Sequence, residues 1–363
     1  MPEITLENKI IAFSTLGKFL KQFDSVSFME NPELTEINTL FSDKFLAVIK
    51  NAEVFNPWFT RDFISYSFAS LSEMLKEQKL RNWLQTYPEL NSISGKSFRV
   101  GIIMAGNIPL VGFHDLLTVC FSGHKAVVKM SSKDDKIFPL ILEILTKLNA
   151  EFAEIVIIST DSLKNIDAVI ATGNDNSSRY FEYYFGKYPH IIRKNRNSVA
   201  VLSGDETAGD FKKLADDIFL YFGMGCRSVS KLFLPVGFNI PKMLDNFESY
   251  SYLYNHNKYA NNYDYYKAIY LLNMLNHLDT GYLLIKEDVA YSSPVGIVFY
   301  EYYESIAQLK TRLNADSEKI QCIVSNRNDI ENAVKFGQSQ QPALNDYADN
   351  ADTLKFLINL YKK

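Results

Sequence analysis

The chain has 363 residues, of which 38 are basic and 42 acidic, so its net charge is −4. This balance provides no broad electrostatic field for nucleic acid or an anionic membrane. The opening residues lack an apolar run behind a basic head, and no stretch approaches the roughly 18 apolar residues of a spanning helix, so neither a signal peptide nor a membrane span is expected. Three cysteines without a repeated spacing favour a reducing compartment. We therefore predict a cytoplasmic protein, long enough for two domains.

Residues 1–95 have the pattern of a helical region. Apolar residues recur at helical spacing over 13–23 and 63–75, and the helix predicted over 77–87 ends before Pro88. No pattern here points to chemistry. We expect these helices to pack on the domain that follows, as a cap or as an oligomer surface.

Strands and helices alternate from residue 96 to 202. The predicted strands are 98–105, 126–130, 154–159, 168–172, 191–194 and 198–202, and the predicted helices are 110–121, 136–148 and 178–187. This succession predicts a doubly wound parallel sheet with right-handed crossovers, and thus an α/β protein. We interpret residues 96–202 as a Rossmann-like cofactor-binding domain, although the G-x-G-x-x-G fingerprint is missing.

A second α/β domain is predicted over residues 203–338. Its predicted elements are helix 211–222, strand 231–235, a mostly helical stretch over 241–277, strands 281–287, 296–300 and 320–325, and helix 329–336. The C-terminal tail, 339–363, contains an amphipathic segment over 353–360. We interpret the tail as a candidate contact with another copy of the chain.

Cys226 is the candidate nucleophile. It lies between a predicted helix and a predicted strand, and Gly223 and Gly225 leave room for an acyl group to approach. A thiol attacks as its thiolate, and a nearby Arg227 or Lys231 could lower its pKa. The alternative is a loop cysteine without a chemical role.

The other cysteines and the histidines provide a contrast. Cys120 recurs with apolar residues at helical spacing, and Cys322 takes an inward position of a predicted strand, as inert buried cysteines do. The five histidines are scattered without a ligand spacing, so no metal site is predicted. His256 could transfer protons, or it could be an ordinary surface histidine.

The turn after the first predicted strand contains Gly106, Asn107 and Pro109. Ligands of open α/β sheets bind beyond the carboxyl ends of the strands. The Asn107 amide could form an oxyanion hole together with the backbone N–H of Cys226. The alternative is that Asn107 caps the following helix.

Polar residues also follow two later strands of this predicted sheet. Lys129, Ser131 and Ser132 close the second strand, and Thr172 and Gly173 close a later one. Each group alone could be a solvated turn. Together, at successive strand ends, they outline a crevice for a nucleotide.

The order of these features resembles the aldehyde dehydrogenase superfamily and, within it, the acyl-CoA reductases of the LuxC type. The resemblance rests on the turn 107–109, Lys129, the Thr-Gly pair at 172–173, the Gly-Cys pair at 225–226 and the motifs over 340–354. It runs from about residue 98 to the end of the chain.

The resemblance implies roles for individual residues. Cys226 would be the acyl-accepting nucleophile and Asn107 the oxyanion donor, and Lys129 and Ser132 would face the adenosine ribose. Two departures from the superfamily are visible. Residues 191–195 lack the glutamate base of the oxidising members, and residues 289–295 lack the glutamate that holds the nicotinamide ribose.

We interpret the chain as a reductase that converts a fatty acyl-CoA, or an acyl-protein thioester, to an aldehyde with NADPH; NADH is also possible. The missing base favours reduction over hydrolysis. The alternative is a non-redox acyl-transfer, thioesterase or acyl-binding protein on the same scaffold. We expect the thioester substrate as partner and no nucleic acid, and a second copy of the chain is a further candidate partner.

Overall fold

The computed structural model describes residues 4–25, 28–91 and 97–362. The chain forms two compact units. The first comprises Met1–Lys194 and Ala343–Lys363, and the second comprises Asn195–Pro342. Within the described ranges, none of the helices combines the length and apolar character that crossing a membrane requires.

The first unit begins with helices. These are α1 (Leu6–Lys21), α2 (Thr35–Phe55), α3 (Arg61–Met74) and α4 (Glu77–Gln85). The hydroxyl groups of Thr5 and Thr60 accept backbone N–H groups at the starts of α1 and α3, which fixes where each helix begins. Buried phenylalanines, including Phe13, Phe19 and Phe45, pack these helices together and onto the elements that follow.

The first unit continues as a parallel five-stranded sheet with the order β3-β2-β1-β4-β5. Its elements are β1 (Arg99–Ile103), α5 (Phe113–Phe121), β2 (Lys125–Lys129), α6 (Ile137–Leu148), α7 (Phe152–Ile155), β3 (Val156–Ile158), β4 (Ala168–Thr172), α8 (Asp175–Phe185) and β5 (His190–Arg193). The strands are apolar because helices cover the sheet. The strand order reverses between β1 and β4, where folds of this class bind ligands.

The second unit contains a six-stranded sheet with the order β11-β6-β7-β10-β9-β8. Its elements are β6 (Asn197–Val201), α9 (Ala208–Phe219), β7 (Val229–Pro235), α10 (Ile240–Leu244), α11 (Asn257–Leu272), β8 (Leu278–Asp279), β9 (Leu284–Glu287), β10 (Ile297–Tyr303), α12 (Ile306–Ala315) and β11 (Ile320–Val324). Its strands are parallel except where β8 pairs with β9.

The α/β class with parallel sheets and a helical N-terminal region is confirmed, but three details of the sequence prediction are wrong. The strand predicted over 198–202 is β6, which pairs with β7 and β11 in the second sheet instead of extending the first. Residues 329–336 form turns and a bridge between Val324 and Val334, without a helix. Helix α5 begins at Phe113, three residues later than predicted, because Leu110 has φ +58° and cannot continue a right-handed helix.

The C-terminal tail packs on the first unit through α13 (Thr353–Leu360). The ring of Tyr361 stacks on the buried His124 with 4.4 Å between ring centroids. His124 Nδ1 accepts the Phe98 N–H, so the proton lies on Nε2, which donates to the Leu357 carbonyl at 3.0 Å. Burial lowers the pKa of His124 to about 4, so this histidine is neutral in the folded protein.

The buried His124 predicts a loss of stability in acid. The unfolded histidine binds a proton below pH 6.5, whereas the folded one does so only near pH 4. Between these values protonation favours the unfolded state and lowers the free energy of unfolding by about 3 kcal/mol. Denaturant titrations from pH 7 to pH 4 should show this loss in the wild type and a smaller one in His124→Gln, which does not titrate. Equal losses in the two proteins would contradict the assignment.

Candidate functional site

In the first unit, the loop after β1 is held against the turn after β2. A Cβ on Gly106 would lie 2.5 Å from Ser131 Oγ, so only glycine permits this approach. Asp134 Oδ2 accepts the Leu110 N–H at 2.7 Å, and burial raises the pKa of Asp134 to about 7. These contacts fix the two strand-end loops as a pair. Because its pKa is raised, the Asp134 carboxyl is partly protonated, and so partly neutral, near pH 7.

Asn107 lies in a bend of this loop with its side chain exposed. The N-terminal cap of α5 is Gly112, five residues after Asn107, and this cap residue forms no side-chain hydrogen bond. The interpretation of Asn107 as a helix cap is therefore wrong. Its role as an oxyanion donor stays a prediction.

The residues that close β2 differ in exposure. Lys129 Nζ donates to the carbonyl groups of Thr160 and Asp161, at 3.3 and 2.8 Å, so its ammonium braces the loop after β3. Ser131 is half-buried against Gly106, whereas Ser132 is exposed at the tip of the turn. Of these three, Ser132 has the side chain that solvent reaches most freely.

Thr172 and Gly173 close β4 beside the end of β5. Thr172 Oγ1 accepts from Arg193 Nη1 at 3.2 Å. A Cβ on Gly173 would lie 2.8 Å from the ring of Phe181 and from Ser177 Cβ, so glycine lets α8 start close to the strand. Both residues therefore shape the carboxyl edge of the sheet.

Arg193 was not identified from the sequence as a site residue. Its guanidinium is 4% exposed and forms a bidentate ion pair with Asp115, at 2.6 and 2.8 Å. Residues 191–195, where oxidising superfamily members carry a glutamate, thus contribute a buried cation. The sequence does place Arg193 directly after two isoleucines, which indicates a buried position. Its partner Asp115, however, is far away in sequence, so the ion pair could not be predicted.

In the second unit, Cys226 lies in a tight turn, residues 225–228, which we call the cysteine turn. The Ser228 N–H donates to the Gly225 carbonyl at 3.0 Å, and the Cys226 side chain is exposed. Ser198 Oγ on β6 donates to the Cys226 carbonyl at 3.0 Å. The thiol is thus presented to solvent from a backbone that the sheet anchors.

The two cations expected to help the thiol are engaged elsewhere. Arg227 is 9% exposed, and its Nε donates to the Ser339 carbonyl. Lys231 is fully buried, and its ammonium lies 2.7 Å from Glu301 Oε2. Burial lowers the pKa of Lys231. Glu301 thus neutralises the Lys231 charge locally, and help to the Cys226 thiol from either cation stays a prediction.

The segment between α9 and Cys226 has an unusual backbone. Tyr221, Phe222 and Gly223 have φ values of +55°, +57° and +73°. For the two aromatic residues this conformation costs about 1–2 kcal/mol each. The ring of Phe222 is buried and packs on His256, which caps α11 by accepting the Tyr259 N–H. His256 is thus a packed helix cap in this structure.

The other cysteines lie in less accessible places. Cys120 is buried, and burial raises the pKa of its thiol to about 12. Cys322 is half-buried, with its sulfur 3.1 Å from Ser198 Oγ. Among the residues that the structure describes, no group of three His, Cys, Asp or Glu side chains is arranged to hold a metal ion.

Comparison with known proteins gives a family. The sequence model described as acyl-CoA reductase (LuxC) matches residues 13–244, which is more than half of the chain. The chain belongs to the acyl-CoA reductase (LuxC) family. It is therefore an oxidoreductase that reduces an acyl thioester to an aldehyde. No curated protein matches the chain by sequence.

Solved structures show the aldehyde dehydrogenase fold. Aldehyde dehydrogenase 21 from Physcomitrella patens, in complex with succinate, is 11% identical, with a TM-score of 0.60 over 99% of this chain and 89% of that one. A Mycobacterium tuberculosis aldehyde dehydrogenase complexed with NAD+ is 11% identical, with a TM-score of 0.59 over 93% and 76% of the two chains. A mutant propionaldehyde dehydrogenase from Clostridium phytofermentans is 8% identical, with a TM-score of 0.57 over 93% and 82%. The predicted aldehyde-dehydrogenase-like fold is confirmed.

The close approach of Gly106 to Ser131 gives a test of the paired loops. Gly106→Ala should lower the free energy of unfolding by about 1–3 kcal/mol, because its Cβ overlaps the Ser131 side chain. Ser131→Gly in the same chain should restore much of this loss, and the coupling can be measured by a double-mutant cycle of denaturant titrations. Ser132→Gly is the matched control and should not restore it. Additive effects at residues 106 and 131 would contradict the packing described.

Proposed function

We propose that this acyl-CoA reductase uses NADPH and works through an acyl-enzyme on Cys226, with acyl-CoA or an acyl-protein thioester as the donor. The observation that carries the proposal is the exposed Cys226 thiol in a turn bounded by glycine, while Cys120 is buried and Cys322 half-buried. Attack on a carbonyl carbon requires this accessibility.

The carboxyl edge of the first sheet fits a nicotinamide dinucleotide. The strand order reverses there, and the donors near the edge are hydroxyl, ammonium and backbone N–H groups, which suit ribose and phosphate oxygens. We assign Lys129, Ser131 and Ser132 to the adenosine ribose and Thr172 and Gly173 to the adjoining part of the crevice. When bound, the reduced cofactor supplies the hydride that the acyl carbon accepts.

Cys226 carries the covalent chemistry. Its thiolate forms a bond to the carbonyl carbon of the substrate thioester, and the bond from that carbon to the donor sulfur breaks, so that CoA leaves as a thiolate. Once the acyl carbon has accepted a hydride, its bond to Cys226 breaks. The aldehyde departs and the Cys226 thiolate is regenerated.

The surroundings of residues 191–195 support slow hydrolysis of the acyl-enzyme. A positioned general base typically contributes 10²–10⁴-fold to such a step. This segment, which stands where oxidising superfamily members carry their glutamate base, has no carboxylate. Water should therefore compete poorly with hydride for the acyl group.

We also propose that the protein is cytoplasmic, since an exposed catalytic thiol stays reduced there. Self-association is a further proposal. The candidate surface is an apolar patch at the end of α11, because exposed apolar patches often mark interaction sites. It comprises Leu271, Leu272 and Met274, which are 60%, 82% and 91% exposed.

The acyl-enzyme can be trapped. Acyl-CoA mixed with the wild type in the absence of NADPH should give a covalent adduct on Cys226 that persists for many turnover times, and NADPH should discharge it to aldehyde. Intact-protein mass spectrometry and peptide mapping measure both steps. Cys226→Ala should form no adduct, whereas Cys120→Ala should behave as the wild type. Rapid release of free fatty acid without cofactor would identify a thioesterase instead.

Cofactor preference depends on the turn after β2. Dinucleotide-binding folds that prefer NAD use a carboxylate to bind the ribose 2′-OH. Here Ser132 and Lys133 are exposed at this turn, and neither repels a 2′-phosphate. Ser132→Glu should shift the ratio of kcat/KM values towards NADH by about tenfold, equivalent to 1.4 kcal/mol. An unchanged ratio would remove Ser132 from the ribose site.

A further inference from the structure

Gln340 lies directly against the cysteine turn. Its side-chain Nε2 donates to Ser228 Oγ at 3.0 Å, and both residues are buried. A Cβ on Gly225 would lie 3.6 Å from Gln340 Oε1 and 3.8 Å from Nε2. One amide group thus packs on the residue before Cys226 and bonds to the second residue after it.

The segment that carries Gln340, residues 337–341, is itself anchored to α9. Asp217 is 1% exposed, and its carboxylate accepts the N–H groups of Gly337 and Ser339 at 2.6 and 2.9 Å. The Ser339 carbonyl in turn accepts from Arg227 Nε. The segment therefore connects a rigid helix to both Arg227 and Ser228 of the cysteine turn.

We propose that Gln340 is a positioning residue, which fixes the conformation of the cysteine turn and thereby the direction of the Cys226 thiol. This inference rests on the proposed role of Cys226. Ser198 holds the turn at the Cys226 carbonyl, and Gln340 holds it at Ser228. Without the Gln340 amide, the turn keeps its contacts at the Cys226 carbonyl and at Arg227 but loses the hydrogen bond that fixes Ser228 Oγ.

The expected consequence is kinetic. A displacement of the reacting group by about 1 Å can cost 10²-fold in rate, even when the changed residue does not touch the substrate. Loss of the Gln340 amide should therefore lower kcat and leave KM nearly unchanged. A residue that only fills space would change the thermal midpoint and nothing in the chemistry.

The experiment compares three variants of the full chain with the wild type. Gln340→Ala removes the amide, and Gln340→Glu keeps its size but adds a negative charge beside the turn. Gln341→Ala is the matched control, because this neighbouring glutamine is exposed. For each protein, kcat and KM are measured with acyl-CoA and NADPH. The rate of Cys226 alkylation by iodoacetamide is measured by peptide mapping from pH 6 to pH 10, and the thermal midpoint is recorded.

We expect kcat to fall about 10- to 100-fold in Gln340→Ala. In Gln340→Glu we expect the midpoint of the alkylation profile to rise by about one pH unit, because a nearby carboxylate disfavours the thiolate. Gln341→Ala should match the wild type in both. Wild-type kcat and an unchanged alkylation profile in both Gln340 variants would overturn the inference, whatever their thermal midpoints.

Failure of the proposed function has a different signature. If the wild type forms no acyl adduct and consumes no NADPH with acyl-CoA, Cys226 is not the nucleophile of such a reaction. The alkylation profiles of the Gln340 variants still report whether this side chain controls the environment of the Cys226 thiol. The two outcomes are therefore separable.

Discussion

The guanidinium of Arg193 joins four parts of the first unit. It forms a bidentate ion pair with Asp115 on α5, donates to Thr172 at the end of β4 and to Thr353 at the start of α13, and belongs to β5 itself. Breaking a buried ion pair by removing one partner typically costs about 3–5 kcal/mol, because the other charge is left buried. One side chain therefore links the end of β4, where we assign cofactor binding to Thr172, with the start of α13.

The second unit presents its thiol by other means. The fully buried Lys231, five residues after Cys226, is paired with Glu301. The segment that leads to the cysteine turn has Tyr221 and Phe222 in the left-handed region, and the turn itself is held by hydrogen bonds from Ser198 and Gln340. A strained backbone conformation of this kind persists only where the surrounding packing imposes it. The buried ring of Phe222 packs on His256, and this contact supplies the packing. An ion pair thus constrains the candidate cofactor region of the first unit. Backbone conformation and hydrogen bonds constrain the cysteine turn of the second.

Local sequence patterns predicted what depends on local interactions. The bounds of β4 and α13 match the predictions to the residue, since each is a short apolar segment between polar turns. Patterns could not show that β6 pairs with β11, because strand partners are chosen by contacts between distant parts of the chain. For the same reason Lys231 looked like a cation near Cys226, when its partner comes from β10. Asn107 looked like a helix cap because nothing in the sequence reveals the positive φ of Leu110 that delays α5.

The division of the chain has a consequence for protein synthesis. The second unit is one continuous stretch, Asn195–Pro342, whereas the first is completed only by the tail that carries Thr353, Leu357 and Tyr361. On the ribosome, every residue of the thiol-bearing unit emerges before α13 does. Arg193 and His124 therefore lack the Thr353 hydroxyl and the Leu357 carbonyl until α13 has been synthesised. The first unit can thus complete its packing only after the whole second unit has been synthesised, although its own sequence begins first, which reverses the usual order in which domains mature during translation.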